Sequence, residues 1–150
     1  MPFSVLQDTN AAGTTAYTTA NVAGSWNLGF ATLMAQFSQQ KNEVPPVADQ
    51  KERLWLVGAV APLGQGEIHA SLARSDASGG GPGFSSADAN QIALGYVYHL
   101  SKRTALYATG SRIDNKGSQA FSTANGTSRP GGPTAGGKSI GFEGGIRHSF

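Results

Sequence analysis

The feature that most constrains this chain is a hairpin pattern in which segments of ten to thirteen residues alternate apolar and polar side chains. Because none of these segments sustains the 3.6-residue period of an amphipathic helix, the pattern predicts β-strands. Seven segments show it, at roughly residues 17–27, 29–40, 53–62, 66–76, 88–100, 103–114 and 138–150.

The connectors between these segments are alternately short and long. Short connectors lie at 27–29, 62–66 and 101–102, and long ones at 41–52, 77–87 and 115–137. This order predicts an antiparallel up-and-down topology, with the tight turns at one end and the long loops at the other. Residues 1–15 receive no assignment and are left as a loop, although Phe3–Gln7 could form the stub of one more strand.

The alternation gives most segments one apolar face and one small or polar face. In the last segment Ile140, Phe142 and Ile146 occupy one face, whereas Glu143 and Arg147 occupy the other. A soluble barrel or sandwich would bury the apolar face, whereas a membrane barrel would turn it to lipid and enclose an aqueous lumen.

Three observations favour the membrane barrel. The strands are long enough to cross the hydrocarbon when tilted, and their polar faces carry Gly, Ala, Ser, Thr and Gln rather than Lys and Glu. Aromatic residues also lie beside the short turns, as in an interfacial girdle. These aromatics are Trp26, Phe30, Tyr96, Tyr98 and Phe150.

Composition excludes several other classes of protein. Without cysteine there is no disulfide framework, thiol nucleophile or Cys-type zinc site. Charged residues make up 13% of the chain and no basic run exceeds two residues, so we expect no nucleic-acid partner. There is no apolar stretch long enough for a membrane helix, and the first residues do not resemble a signal peptide.

Two segments resemble a known family. The stretch from Leu94 to Ala108, LGYVYHLSKRTALYA, looks like a hairpin of the trimeric, sixteen-stranded general porins of beta-proteobacteria. The ending from Gly141 to Phe150, GFEGGIRHSF, is similar to the last strand of that family, and 60–64 fits one of its turns. The resemblance covers roughly residues 16–150.

The resemblance implies an all-β transmembrane barrel whose C-terminus lies on the periplasmic side. Every long connector is then extracellular and every short turn periplasmic, as such barrels require. It also implies a homotrimer in the Gram-negative outer membrane, and a terminal Phe150 that is read as a signal by the outer-membrane assembly machinery.

A sixteen-stranded barrel needs far more chain than 150 residues. Seven strands would leave two open edges, and unpaired backbone groups are costly in lipid. We therefore expect residues 1–150 to be the C-terminal part of a porin barrel domain, with the signal peptide and the constriction loop lying upstream.

Charged positions on the polar faces are the candidate pore-lining residues. Glu143 and Arg147 share the polar face of the last strand, and strand parity places Arg53 in the lumen near the external mouth. Lumen charges set the electrostatic field that passing ions feel. Alternatively, Glu143 and Arg147 pair with side chains of neighbouring strands and stiffen the wall. Arg74 and Arg112 lie at the same end of the predicted barrel as Arg53, and this excess of arginine suggests a modest preference for anions.

Other motifs have simpler explanations. Residues 132–139 match the nucleotide-binding pattern GxxxxGKS, but no buried strand precedes them and no helix is predicted after them. The three histidines, at positions 69, 99 and 148, lack metal-ligand spacing, and the sequon at 125–127 lies in a Gly/Ser/Thr-rich loop. We expect no catalysis, metal or cofactor.

The predicted function is passive diffusion of ions and small hydrophilic solutes through a water-filled barrel. Two alternatives remain at this point. One is a small closed outer-membrane barrel of about eight strands that uses residues 1–15 and has a structural or adhesive role. The other is a soluble ligand-binding β-barrel.

Overall fold

The computed structural model describes residues 3–9, 16–43, 49–79, 87–123 and 133–150, with side chains from residue 16 onward. These residues form eight β-strands in a single sheet. The strands are β1 (Phe3–Thr9), β2 (Ala16–Asn27), β3 (Thr32–Glu43), β4 (Gln50–Leu63), β5 (Gly66–Gly79), β6 (Ala87–His99), β7 (Thr104–Gly117) and β8 (Lys138–His148). Within these ranges no helix has the length and hydropathy needed to span a bilayer.

The sheet has the predicted up-and-down topology. Each strand pairs antiparallel with the next in chain order, from β1 to β8. Among the described residues no ladder joins β1 to β8, so the sheet is open at both edges. The seven predicted strands are all present and are extended by an eighth.

The tightest turn shows how local sequence fixes the pairing of β4 with β5. Leu63 pairs with Gly66, which leaves Gly64 and Gln65 as a two-residue loop. Gly64 has φ +61°, a conformation that glycine adopts without a side-chain clash. Two-residue loops of this kind set the register of the strands that they join.

The strands extend further than predicted at the long-connector end. β3 continues to Glu43, β4 begins at Gln50 and β5 continues to Gly79, so the connectors are shorter than expected. The additional residues are polar or charged and lack the apolar alternation that marks a strand in sequence. They pair through backbone hydrogen bonds, and the ion pair between Lys41 and Glu43 lies among them.

Residues 1–15 contain a strand, which corrects their assignment as a loop. Phe3–Thr9 forms β1 and pairs along its whole length with β2, from Phe3 opposite Val22 to Thr9 opposite Ala16. Its seven residues show weak alternation, which explains why the sequence indicated only a stub.

The pairing register divides the sheet into two faces. One face carries the directly paired row His69, Gly95, Thr109 and Glu143, and we call it the inner face. The other carries the row Ala70, Leu94, Gly110 and Phe142, and we call it the outer face. All the buried side chains lie on the inner face of the described strands: Ser38, Ser75, Ala87, Ala89, Ala105, Ile113 and Asn115. The sheet is therefore concave toward the inner face.

We predict that Gly66→Ala destabilises the β4–β5 hairpin. A Cβ at this position would lie against the carbonyl oxygen of Val97, well inside van der Waals contact. Overpacking of this kind costs about 1–3 kcal/mol. We expect the urea concentration at the midpoint of unfolding, measured by circular dichroism in detergent, to be lower than that of the parent chain.

Gly58→Ala is the matched control for this prediction, because its Cβ would meet Ala70 O at an ordinary 3.5 Å. We expect its midpoint to stay close to that of the parent chain. Equal midpoints for the two variants would contradict the close approach at Gly66.

Candidate functional site

The inner face forms a concave wall that spans most of the sheet. A cavity of about 520 Å³ lies against it and is lined from Met34 in β3, through Leu56 and His69, to Tyr107 and Arg147 in β7 and β8. Small residues such as Gly and Ala separate the larger side chains along this wall. The inner face therefore borders an open, partly polar space rather than a packed core.

Two of the predicted pore-lining residues lie on this wall. Glu143 and Arg147 are both exposed, and both project from the inner face of β8. The Tyr107 hydroxyl donates a hydrogen bond of 3.0 Å to Glu143 Oε1, which holds the carboxylate against the neighbouring strand. Arg147 lies four residues further, about 13 Å along the strand at the usual rise.

The third predicted pore-lining residue, Arg53, lies on the outer face, which corrects the sequence-based position. It pairs with Gln39 and Asp76, and its Nε donates a hydrogen bond of 3.3 Å to Gln39 Oε1. The reason is that β4 is apolar on both faces, with Leu54 and Trp55 on opposite sides. In such a run, counting alternate residues cannot tell which face is turned inward.

Arg74 and Arg112 also lie on the outer face. Arg74 forms a two-pronged contact with Asp76, with distances of 2.6 to 2.9 Å, and Arg112 contacts Asp114 at 3.0 Å. The expected anion preference relied on these arginines and on Arg53. Because the pairing register places all three arginines on the outer face, none of them lies on the described part of the inner wall.

Two carboxylates of the inner face, Glu52 and Glu67, were not named as pore-lining candidates in the sequence analysis. Glu52 accepts a hydrogen bond of 2.8 Å from Ser75 Oγ at the long-connector end. Glu67 lies at the opposite end, 3.1 Å from His69 Nε2. The alternation in 66–76 already placed Glu67 and His69 together on the polar face, so that signal was present in the sequence.

The segment that follows β7 folds back over the inner face. The Asn115 side chain, which is 4% exposed, donates hydrogen bonds to the carbonyls of Phe121 and Gly137 and accepts one from Phe121 N. Thr123 N donates a hydrogen bond of 3.1 Å to Ser139 Oγ. Residues 118–123 therefore narrow the long-connector end of the concave space.

The outer face carries a continuous apolar band. Leu94 is 60% exposed and Phe142 is 87% exposed, although both are large and apolar. Other exposed members of the band are Leu33, Val57, Leu72, Ile92, Leu106, Ile140 and Ile146. An apolar surface of this extent marks a contact with lipid or with another protein.

Aromatic side chains border the band at the short-turn end. Trp26 is 71% exposed, and Phe150 is fully exposed. The hydroxyl of Tyr96 donates to Leu63 O at 3.1 Å and that of Tyr98 donates to Gln65 Oε1 at 2.9 Å, so each ring is tied to a turn. These are four of the five aromatic residues that the sequence analysis placed beside the short turns, and the fifth, Phe30, is 75% exposed.

The opposite border of the band combines an aromatic pair with charged residues. The rings of Phe37 and Trp55 lie 4.3 Å apart, and the next outer-face positions are Gln39 and Arg53. Paired charges, including Arg74–Asp76, continue this border toward the long connectors. Long strands with an apolar outer band between two such borders and a polar inner wall define the wall of a transmembrane β-barrel.

Comparison with known proteins identifies the family. A family model described as Gram-negative porin matches residues 3–118. The outer membrane porin protein 32 of Delftia acidovorans is 35% identical over 130 residues, which are 86% of this chain and 36% of that protein. The solved anion-selective porin from Comamonas acidovorans is 32% identical and matches with a TM-score of 0.79, over 99% of this chain and 43% of its own.

The chain therefore belongs to the Gram-negative porin family. It spans less than half the length of either of these relatives.

The described residues of the GxxxxGKS match do not form a phosphate-binding loop. Residues 133–137 end in a turn, and Lys138 begins β8 rather than a helix. Lys138 Nζ lies 3.8 Å from Asp114 on the outer face. Gly132 and the sequon at 125–127 lie outside the described residues. Within the described ranges, no three His, Asp or Glu residues are grouped to hold a metal ion.

We predict that Leu94→Arg reduces folding of the protein into lipid vesicles. An arginine on the lipid face near the bilayer centre costs about 2–4 kcal/mol. The matched control is Ala93→Arg, one residue away on the inner face, which we expect to fold with nearly the parent yield. Heat-modifiable electrophoretic mobility measures the folded fraction, and a greater loss for Ala93→Arg would reverse the assignment of the two faces.

Proposed function

We propose that this chain forms part of the wall of a water-filled channel in the Gram-negative outer membrane. Ions and small hydrophilic solutes would cross by passive diffusion, without catalysis and without a cofactor. The observation that carries the proposal is the two-faced sheet, with its apolar band outside and its wall of small and polar residues inside.

The open sheet argues against a small closed barrel. That alternative required residues 1–15 to supply an eighth strand that closes on the last one. β1 does supply an eighth strand, but it pairs only with β2 among the described strands. In hydrocarbon an open edge leaves backbone groups unpaired at a cost of several kcal/mol each, so the barrel needs further strands.

The outer face argues against a soluble ligand-binding barrel. In such a protein the large apolar side chains would point into the barrel and be buried. Here Phe142 and Ile146 project from the convex side and are 87% and 69% exposed. Soluble monomers rarely expose apolar patches larger than a few hundred Å².

The proposal includes the partners that the family resemblance implies. Outer-membrane lipid would cover the apolar band, with the aromatic residues at its border. We propose a homotrimer as the assembly, and recognition of the last strand, including Phe150, by the outer-membrane assembly machinery. Strand β8 supports recognition by the assembly machinery. Its outer face presents the exposed side chains of Ile140, Phe142 and Ile146, and in the described sheet one of its edges is unpaired.

We predict that the protein, purified in detergent from the outer membrane of cells that make it, produces stepwise conductance in planar bilayers. The current should be ohmic, because a fixed water-filled lumen has no gate that depends on the direction of flow. Heat-denatured protein in the same detergent is the control. Purified trimers without open-channel steps would favour a plugged barrel and contradict the proposed channel.

Glu143 and Arg147 provide a test of the inner face as the ion path. We predict that Arg147→Gln shifts the reversal potential in a KCl gradient toward cation preference and that Glu143→Gln shifts it toward anion preference. Each shift in permeability ratio should be about twofold at low salt, because one charge roughly 8 Å from an ion contributes about 0.5 kcal/mol in water. The outer-face variant Lys138→Gln is the control, and equal shifts from all three variants would exclude a specific role of the wall.

A further inference from the structure

We propose that Glu52 and Glu67 shift ion selectivity toward cations, as the two ends of an acidic strip on the inner wall. This inference rests on the proposed channel function and deepens it by naming the class of solute that this part of the wall favours. The strip runs across β4 and β5 to β8, and Glu143 is its third carboxylate.

The first support is the distribution of charge between the two faces. Along the described strands β2–β8, the ionisable groups of the inner face other than tyrosine are Glu52, Glu67, His69, His99, Glu143 and Arg147. With neutral histidines, three carboxylates stand against one guanidinium. Lys102 and Arg103 lie in the turn beyond the end of this wall.

The outer face has the opposite balance. Its cations at the long-connector end are Lys41, Lys51, Arg53, Arg74, Arg112, Lys116 and Lys138. The outer-face carboxylates along these strands are Glu43, Asp76, Asp88 and Asp114, so seven cations stand against four carboxylates. Asp76 and Asp114 are held by arginines at 2.6 and 3.0 Å. Along the described strands β2–β8 the excess of positive charge therefore lies on the outer face, and the inner face carries an excess of carboxylates.

Glu52 lies where the concave space is narrowed. It lines a cleft of about 300 Å³ together with Tyr17, Gln40 and Gln119, the last of which belongs to the segment that folds back over the inner face. Lys51 of the neighbouring outer-face position also borders this cleft. Ser75 Oγ donates a hydrogen bond to Glu52 Oε1 and so fixes the carboxylate at this mouth. In a narrow aqueous passage with low-dielectric walls the field of a fixed charge is focused on passing ions.

Glu67 lies at the opposite, short-turn end of the inner wall. Its position pairs with Pro62 and Val97, next to the two-residue turn between β4 and β5. The side chain keeps 36% of its surface exposed and lies beside His69. Glu52 pairs with Ala77, ten residues from Glu67 along β5, so the two carboxylates lie about 33 Å apart. A cation meets one near each end of its path.

The test measures the anion-to-cation permeability ratio from reversal potentials in KCl gradients, with the protein extracted from the outer membrane. We expect Glu52→Gln and Glu67→Gln each to raise this ratio about 1.5- to 2-fold in solutions near 0.1 M, and the double variant to raise it further. In solutions near 1 M, where the Debye length is about 3 Å, the shifts should shrink.

Asp88→Asn is the matched control, since it removes one carboxylate from the outer face, where Asp88 pairs with Asp76. We expect it to leave the ratio unchanged. Unchanged ratios for the Glu52 and Glu67 variants, in channels of parent conductance, would overturn the acidic strip and leave the channel proposal intact. An absence of channels from the unaltered protein would instead overturn the proposed function.

A second measurement changes the charge only after folding. Residues 1–150 contain no cysteine, so Glu52→Cys and Glu67→Cys each introduce a thiol that this part of the protein otherwise lacks. In a bilayer, an anionic methanethiosulfonate should restore the parent ratio, and a cationic one should raise the anion preference further. Thiols that react with both reagents without a change in the ratio would overturn the inference.

Discussion

Backbone hydrogen bonding in a medium without water is the constraint on which the rest of this structure depends. Each peptide group that crosses hydrocarbon needs a partner within the protein, and eight antiparallel strands supply it along their ladders. In the described sheet β1 and β8 each have one unpaired edge, and the same rule requires a further strand beside each of them. The short turns serve this pairing by fixing the register, as Gly64 does between β4 and β5.

Once the backbone groups are paired, the side chains are selected by two different surroundings, lipid on the outer face and water on the inner face. Alternation sends Leu94 and Phe142 to the outer face and Gly95 and Glu143 to the inner face. The low charge and high glycine content of the chain then have one physical origin. A wall between lipid and an aqueous lumen does not need the highly charged surface that keeps a soluble protein in solution. On the outer face, charged groups remain where the strands extend beyond the apolar band, and several of them pair there, as Arg74 does with Asp76.

The sequence predicted this architecture because period-two alternation and connector length are local signals. It placed all seven long strands, the two faces of β8 and the order of short and long connectors. It failed where the local signal was absent. β4 is apolar on both faces, so the position of Arg53 became visible only through its pairing with Gln39 and Asp76. The extended strand ends are mostly polar and lack an alternating pattern, so only their backbone pairing with neighbouring strands shows that they are strands.

The position of Arg53 changes how a basic porin sequence should be interpreted. A count of arginines predicts an anion-attracting channel, but a charge acts on passing ions only if the register places it on the inner face. In this chain the pairing sends Arg53, Arg74 and Arg112 outward and leaves Glu52 and Glu67 on the wall. A solved relative is an anion-selective porin, and this chain covers 43% of it. Selectivity in such a barrel is a sum over the whole circumference, so one arc can oppose the sign of the total.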